Sequence, residues 1–263
     1  MTVVESLRPL PNLRVLVTAG GGGIGAAIAR AFHEAGSRVH VCDVDRSALD
    51  RITQEIPGIT SSMADASVPQ DVDLVFDDIE RSLGGLDVLV NNAGIAGPTG
   101  PIEDIDAASW TRTMDVNLNS QYYFARRAVP LLKQSRANPV LIAMGSVAGR
   151  LAYPFRTPYA STKWAIVGLA KSLAVELGSH GVRVNAILPG TVEGKRMDSV
   201  ISARAAALGV SADEVRGEYL DKISLGRMVS AEDVAAMALF LCSPAARNVT
   251  GQAISVDGNV EYL

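Results

Sequence analysis

Short apolar runs alternate along this chain with longer segments in which apolar residues recur every three or four positions. The short runs predict β-strands and the longer periodic segments predict helices. The predicted strands are Arg14–Thr18, Arg38–Cys42, Ile59–Met63, Leu86–Val90, Val140–Met144, Arg183–Ile187 and Ala253–Val256. The predicted helices are Ile24–Glu34, Ala48–Ile56, Pro69–Leu83, Ala107–Leu132, Pro158–Leu177 and Ala231–Leu241. This alternation indicates an α/β fold, a doubly wound parallel sheet of about seven strands with helices on both faces.

One segment interrupts the alternation between Pro189 and Leu225. It contains two short polar helical patterns, Asp198–Leu208 and Ala212–Lys222. An insertion between a strand and a helix at the carboxyl edge of such a sheet is where a lid would lie. We therefore expect one domain over residues 1–263, with a substrate lid at 189–225.

Composition narrows the class of protein. With 48% hydrophobic and 20% charged residues in 263, a folded globular chain is expected. A formal charge of -4 gives no basic surface for nucleic acid or an anionic membrane. Cys42 and Cys242 lie in apolar settings and are expected to be buried free thiols. No signal peptide or membrane span is evident, so we expect a cytoplasmic protein.

The stretch TAGGGGIG, Thr18 to Gly25, follows a predicted strand and opens a predicted helix. A strand, a glycine turn and a helix amino end together form a binding site for a dinucleotide pyrophosphate, as in Rossmann folds. Two registers are possible, G-x-G-x-x-G on Gly20, Gly22 and Gly25, or T-G-x-x-x-G-x-G ending at Gly23 and Gly25 with Ala19 in place of the first glycine. A plain flexible turn is the alternative. The predicted cofactor contacts here are Gly20, Gly22, Gly23 and Ile24.

Asp43 directly follows the second predicted strand, about 20 residues beyond the glycines. A carboxylate there accepts hydrogen bonds from an adenosine ribose and repels a 2′-phosphate. Val44 follows the acid and no cation lies among the glycines, although Arg46 is close. NAD is therefore predicted rather than NADP. The alternative is that Asp43 is a solvated loop carboxylate or a helix cap.

A second group of polar residues lies further along the chain. Tyr159 and Lys163 are four apart on a predicted helix and so share a face. Such a pair alone would more often be a surface contact. Ser146 favours a catalytic role for the pair over a surface contact, because it follows an apolar strand at the same edge of the sheet as the glycines.

At this point the sequence resembles the short-chain dehydrogenase/reductase family, from Val15 to Gly258. The resemblance implies a catalytic tetrad of Asn117, Ser146, Tyr159 and Lys163. It implies further cofactor contacts at Asp65, Ala66, Asn91, Ala93, Gly94, Tyr159, Lys163, Pro189, Gly190 and Val192. It also implies a homotetramer, with no metal.

The chain departs from the family pattern at two positions. Ala19 replaces a glycine, so we expect this residue to avoid a positive φ unless Gly20 absorbs the turn. Gly194 replaces a common threonine, which is expected to loosen the start of the lid.

Tyr159 could act as a base. A lysine ammonium about 4 Å from a phenol favours the phenolate by roughly 4 kcal/mol at an effective dielectric constant near 20. Burial opposes this effect, yet the pKa of the phenol could still come within reach of physiological pH. Ser146 would hold the substrate oxygen. As the resemblance implies, Asn117 would anchor a water for proton relay. The alternative is that it satisfies a helix irregularity, and the two roles are compatible.

These residues predict an NAD-dependent oxidoreductase of secondary alcohols, with a sugar, polyol or hydroxy acid as substrate. A reductase of ketones or 3-oxoacyl groups and a non-catalytic NAD-binding regulator are alternatives. Several cations suggest an anionic group on the substrate, although they could be solvated instead. The predicted substrate contacts are Ser146, Arg150, Tyr153, Arg156, Tyr159, Glu193 and Arg196.

Overall fold

The computed structural model describes residues 2–261. Within them, seven strands form one parallel sheet: β1 Arg14–Thr18, β2 Arg38–Asp43, β3 Thr60–Met63, β4 Val88–Asn91, β5 Val140–Met144, β6 Arg183–Pro189 and β7 Ala253–Val256. Their spatial order is β3-β2-β1-β4-β5-β6-β7. The order reverses between β1 and β4, where ligands bind in doubly wound sheets. The predicted fold is confirmed.

The helices of the described residues are α1 Val3–Ser6, α2 Gly23–Glu34, α3 Arg46–Glu55, α4 Pro69–Leu83, α5 Ala107–Met114, α6 Ser120–Gln134, α7 Thr157–Gly178, α8 Lys195–Leu208, α9 Ala212–Asp221 and α10 Ala231–Cys242. They cover both faces of the sheet. Leu16 of β1 packs with residues of α4, α6 and α7. Its neighbours Val15 and Val17 point to the other face and pack with α2, α3 and α10.

Some predicted boundaries were wrong. Strand β4 begins at Val88, after Asp87, whose carboxylate accepts hydrogen bonds from the Arg14 backbone N–H at 2.9 Å and from the Arg14 guanidinium. The predicted helix 107–132 is interrupted by a π-helical turn, Asp115–Asn119. The short helix α1 was missed, and a capping box between Thr2 and Glu5 holds it.

The segment predicted as a lid folds into α8 and α9. These helices pack on each other through a small cluster that includes Ile201, Val215 and Tyr219. Gly194 precedes α8 with a φ of +123°, and its carbonyl accepts hydrogen bonds from Met197 and Asp198. A threonine would be strained in that conformation, so glycine suits this helix start.

Cys42 and Cys242 are buried free thiols, as expected. Burial raises the pKa of each thiol to about 12. Among the residues that the structure describes, none of the helices combines the length and apolar character needed to cross a bilayer.

Candidate active site

The carboxyl ends of four neighbouring strands meet at one edge of the sheet. Strand β1 leads into the glycine loop, β4 into NNAG, β5 into Ser146 and β6 into Gly190. Predicted residues that are far apart in sequence are thereby brought to one edge.

The glycine loop combines three tightly packed glycines, Gly20, Gly21 and Gly25, with two that face open space. A Cβ atom at Gly20 would lie 2.7 Å from Val41, and one at Gly25 would lie 2.1 Å from the Ala19 carbonyl oxygen. At Gly22 and Gly23 a Cβ would meet nothing within 4 Å. Gly22 starts α2 without a side-chain cap. The loop is an open cradle at a helix amino end, so it fits a pyrophosphate.

Ala19 corrects one expectation, because its φ is +48°. The turn from β1 into α2 requires a left-handed residue here, and Gly20 does not absorb it. The side-chain amide of Asn92 donates hydrogen bonds to the carbonyls of Thr18 at 3.0 Å and Ala19 at 3.1 Å, which holds the turn. Alanine tolerates this conformation at a cost of roughly 1–2 kcal/mol.

Asp43 lies beside the glycine loop at the end of β2. Its carboxylate accepts a hydrogen bond from the Gly21 N–H at 3.0 Å and another from the Asp45 N–H at 3.1 Å. Asp45, not Asp43, caps α3, since it accepts from the backbone of Ser47 and Ala48. The helix-cap alternative for Asp43 is therefore wrong.

Asp65 is held by partners that the sequence did not reveal. Its carboxylate accepts from the Ser67 backbone at 2.9 Å and from the Arg112 guanidinium at 3.0 Å. Burial would raise the pKa of Asp65, but the hydrogen bonds from Ser67 and Arg112 lower it below its usual value. The next residue, Ala66, is buried. An adenine contact at this pair stays a prediction.

Tyr159 and Lys163 share one face of α7, and the Lys163 ammonium lies 5.5 Å from the centre of the Tyr159 ring. Lys163 is 3% exposed and donates a hydrogen bond to the Met144 carbonyl at 2.9 Å. Ser146 follows β5, and the interaction of its hydroxyl with the phenol helps to lower the pKa of Tyr159. The three side chains are thus brought together by α7 and the end of β5.

The pKa of Tyr159 is lowered from its ordinary value. Burial would raise it, but the positive charges of Lys163 and Arg196, the Ser146 hydrogen bond and the charge of Arg156 outweigh burial. The pKa of Lys163 is also lowered, chiefly by burial and further by Arg196, while Tyr159 opposes this change. The lysine contribution expected from the sequence is present, and two arginines add to it.

Asn117 lies fully buried in the π-helical turn. Its carbonyl oxygen accepts the Ile95 N–H at 2.7 Å, and its amide donates to the Ile95 carbonyl at 3.1 Å and to Thr162 at 3.3 Å. A Cβ at Gly94 would be 3.2 Å from this oxygen and 3.7 Å from the Lys163 ammonium. Asn117 therefore ties the irregular turn to the loop after β4 and lies close to Lys163. The water relay stays a prediction.

Comparison with known proteins gives the family. Residues 19–260 match the family described as "Enoyl-(Acyl carrier protein) reductase". The chain is 34% identical to 2-(S)-hydroxypropyl-CoM dehydrogenase 3 of Xanthobacter autotrophicus, over 97% of this chain and 98% of that protein. It is 35% identical to L-fucose dehydrogenase of Bos taurus, over 94% and 88% of the two chains. This chain belongs to the short-chain dehydrogenase/reductase family.

Solved structures of this dehydrogenase/reductase family show the same architecture. The 3-ketoacyl-(acyl-carrier-protein) reductase from Brucella melitensis, complexed with NADH, matches with a TM-score of 0.84 at 30% identity, over 95% of this chain and 98% of that one. An actinorhodin polyketide ketoreductase with NADPH matches with a TM-score of 0.90 at 28% identity, over 94% and 96%. Relatives of this dehydrogenase/reductase thus bind either nicotinamide cofactor.

The remaining predicted cofactor residues line the same edge of the dehydrogenase/reductase. The Asn91 side chain is buried and donates to the Gln121 carbonyl at 3.1 Å, and the Ala93 N–H donates to the Thr18 hydroxyl at 2.9 Å. Pro189 ends β6, and a Cβ at Gly190 would lie 2.7 Å from Asp257. Ile24 lies in the first turn of α2, and Val192 pairs with Val229 in an isolated bridge.

Three predicted substrate residues differ in their surroundings. The Arg150 guanidinium donates hydrogen bonds to the side chains of Ser255 at 3.1 Å and Asp257 at 2.9 Å. The Tyr153 hydroxyl lies 2.9 Å from the Tyr219 hydroxyl of α9. Glu193 is exposed, and its backbone N–H donates to the Val229 carbonyl at 2.9 Å. The pairing of Arg150 does not favour a substrate contact, which stays a prediction for all three.

Proposed function

We propose that this protein is an NAD-dependent oxidoreductase that interconverts a secondary alcohol and a ketone, or a sugar lactol and a lactone. The observation that carries the proposal is the group of Ser146, Tyr159 and Lys163 at the edge that also carries the glycine loop, with the serine and the lysine buried and the tyrosine half-buried. A polar hydroxylated substrate is proposed, such as a sugar, a polyol or a hydroxy acid.

The cofactor would be held by residues along the whole edge. The open turn at Gly22 and Gly23 would hold the pyrophosphate, since it combines space with unpaired helix N–H groups. Asp43 would accept hydrogen bonds from the ribose hydroxyls and disfavour a 2′-phosphate. When bound, the nicotinamide supplies the carbon that accepts the hydride.

The protein's own contribution is to move one proton and to orient one oxygen. Tyr159, as phenolate, takes the proton of the substrate hydroxyl, and in the reverse direction it returns that proton to the carbonyl oxygen. Lys163 stabilises the phenolate through its charge. Ser146 donates a hydrogen bond to the substrate oxygen and holds it beside Tyr159.

The base assignment is tested with Tyr159→Phe. This variant should lose turnover while NAD binding persists, because the ring remains and the titrating oxygen is gone. We would measure NADH formation over a panel of secondary alcohols, sugars and hydroxy acids, and NAD binding by calorimetry. Activity near that of the wild type in Tyr159→Phe would refute the assignment. Tight NAD binding by the wild type without turnover of any alcohol would favour the regulator alternative.

The cofactor preference is tested with Asp43→Ala. Loss of the carboxylate should move the ratio of kcat/KM for NAD over NADP toward NADP, by about tenfold if one charge-assisted hydrogen bond is lost. Asp50→Ala, at an exposed position of α3, is the control. An unchanged ratio in Asp43→Ala would overturn the choice of NAD.

The assembly and location are also proposals. Exposed apolar side chains on α6 and α7, namely Tyr122, Trp164 and Val175, support a homotetramer. Light scattering that gives the mass of a monomer would contradict the homotetramer.

We propose a cytoplasmic location because Cys42 and Cys242 are unpaired thiols. Fractionation that places the protein outside the cytoplasm would contradict that location.

A further inference from the structure

Two cationic side chains, Arg156 and Lys163, lie against the Tyr159 ring, and a third, Arg196, contacts the loop after β4 beside Lys163. The guanidinium carbon of Arg156 lies 5.2 Å from the centre of the Tyr159 ring, and the Lys163 ammonium lies 5.5 Å from it. Arg196, at the start of α8, donates to the Gly94 carbonyl at 3.2 Å. Among residues 2–261, the ion pairs within 4.0 Å include none of these three cations. The site therefore has an excess of positive charge.

Arg156, one of the predicted substrate contacts, is buried, with 5% of its surface exposed. Its terminal amino group donates to the Ala96 carbonyl at 2.7 Å, and its guanidinium stacks on Tyr153 at 5.3 Å as well as on Tyr159. Its Nε has no hydrogen-bond partner within the described residues. A buried guanidinium is costly unless it is paired, and an orphaned buried donor is rare. A ligand anion would supply the missing partner.

We infer that the substrate carries a carboxylate, that Arg156 and Arg196 bind it beside Tyr159, and that the substrate is therefore a short hydroxy acid. This inference rests on the proposed function, because Tyr159 places the reacting hydroxyl. A planar guanidinium matches the two oxygens of a carboxylate, which a compact ammonium does not.

The two arginines have different roles in this arrangement. Arg156 stands three residues before Tyr159 and is fixed by Ala96 and the two tyrosine rings, so it is a rigid part of the pocket. Arg196 is exposed and lies at the start of α8, in the segment predicted as a lid. A bound carboxylate would engage both, which links substrate binding to the position of that segment.

The test compares a hydroxy acid with its uncharged amide on the NAD-loaded enzyme. The probes are 2-hydroxybutanoate, 3-hydroxybutanoate and the corresponding amides, with kcat/KM measured by NADH formation and binding measured by calorimetry. The wild type should prefer an acid over its amide by about tenfold or more, the effect of one charge-assisted hydrogen bond.

The variants are chosen so that folding does not decide the outcome. Arg196→Gln changes an exposed side chain and should reduce the preference about tenfold, mainly through KM. Arg156→Lys keeps the buried charge but loses the planar guanidinium with its paired donors, and should also reduce the preference for the acid. Lys195→Gln removes the neighbouring exposed charge of α8 and should leave the preference unchanged.

Two outcomes overturn the inference. One is a wild type that binds and turns over acid and amide alike, or that binds neither acid. The other is an acid preference that survives in both Arg196→Gln and Arg156→Lys. Turnover of neutral alcohols without any acid preference would remove the inference and leave the proposed function standing. Arginine-dependent binding of an acid with no turnover of any alcohol would support the carboxylate site and contradict the proposed oxidoreductase function.

Discussion

At the scale of single residues, the positive charge around the Tyr159 phenol sets how readily that phenol loses its proton. Tyr159 is half-buried, and burial by itself would make it a poor base. Lys163, Arg196 and Arg156 outweigh that burial and lower the pKa of the phenol. The protein thus raises the phenolate fraction with three fixed positive charges. Of these, the spacing in the sequence revealed only the lysine.

This arrangement predicts how the oxidation rate depends on pH. Oxidation needs the phenolate, so kcat/KM should rise with pH through the pKa of Tyr159 and reach a plateau. Removing the charge in Arg196→Gln should raise that pKa, because a positive charge that favours the phenolate is lost. The midpoint of the profile should therefore move to higher pH. The measurement uses an uncharged secondary alcohol, so that substrate charge does not change.

Lys195→Gln is the matched control for this shift. It removes the same charge from the neighbouring position of α8 and should leave the midpoint where it is in the wild type. If Arg196→Gln gives the wild-type midpoint, or if both variants shift equally, the influence of Arg196 on the phenol is not specific and the assignment fails.

Which site residues the sequence could reveal depends on the distance along the chain between partners. Tyr159 and Lys163 are four residues apart on one helix, so their proximity follows from helix geometry. The partner of Asp65 is Arg112, 47 residues away, and that pairing depends on how α5 packs against the loop after β3. No local spacing encodes such a contact. The same holds for Arg196 and Gly94, which are 102 residues apart.

At the scale of elements, the turn from β1 into α2 is specified by close packing. Gly25 lies under the Ala19 carbonyl, and an added methyl would approach that oxygen to 2.1 Å. Gly22 has open space and an extended φ of −156°, which any residue adopts. Two glycines of one run thus have different physical reasons to be there.

These packing differences predict different effects on Tm for two alanine substitutions. Gly25→Ala should lower Tm and weaken NAD binding, because the clash with backbone outweighs the gain of about 1 kcal/mol in helix propensity. Gly22→Ala is the matched comparison and, without NAD, should lower Tm less than Gly25→Ala, because an added methyl meets no atom there and only the N-cap preference for glycine is lost. Both are measured by thermal unfolding with and without NAD. Equal Tm values for the two variants would contradict this account of the turn.

Elements with a strong apolar pattern were predictable, and those fixed by a single polar residue were not. Strands β1, β5 and β7 have the predicted bounds, since most of their apolar side chains are buried or packed on the core. The π-helical turn at 115–119 confirms the helix irregularity suggested for Asn117, but its bounds were not predicted, because apolar periodicity continues through it. Its position coincides with the buried Asn117, whose amide bridges to Ile95. A polar contact with another loop stabilises this irregularity, and periodicity does not record it.

At the scale of the whole molecule, one buried histidine couples stability to pH. His40 of β2 is 1% exposed, and its ring nitrogens lie 2.8 Å from the Thr60 hydroxyl and 2.9 Å from the Ser62 hydroxyl. Ser62 in turn donates to Asp78. The Ser62 hydroxyl oxygen therefore accepts a hydrogen bond from the Nε2–H of His40, and Nδ1 of His40 accepts a hydrogen bond from the Thr60 hydroxyl. The ring is held neutral between two strands.

Burial lowers the pKa of His40 to about 4, although the charge of Asp78 opposes this change. The unfolded chain has the ordinary value of about 6.5, so it binds the proton more readily than the folded protein does. Stability from this group is complete above about pH 6.5 and is lost as the pH falls toward 4. The loss should reach about 2 to 3 kcal/mol, since each pKa unit corresponds to about 1.4 kcal/mol.

Urea unfolding at pH 7 and pH 4.5, at one protein concentration, measures this loss. The aspartates whose pKa is lowered in the folded protein, such as Asp87, lose most of their contribution below about pH 4 and only a small part of it in this interval, so the histidine dominates the decrease. His40→Gln removes the titrating ring while keeping a hydrogen-bonding side chain. It should be less stable at pH 7 but show a smaller decrease between the two pH values. An equal decrease in the variant and the wild type would mean that another group couples folding to pH, and the role given to His40 would be wrong.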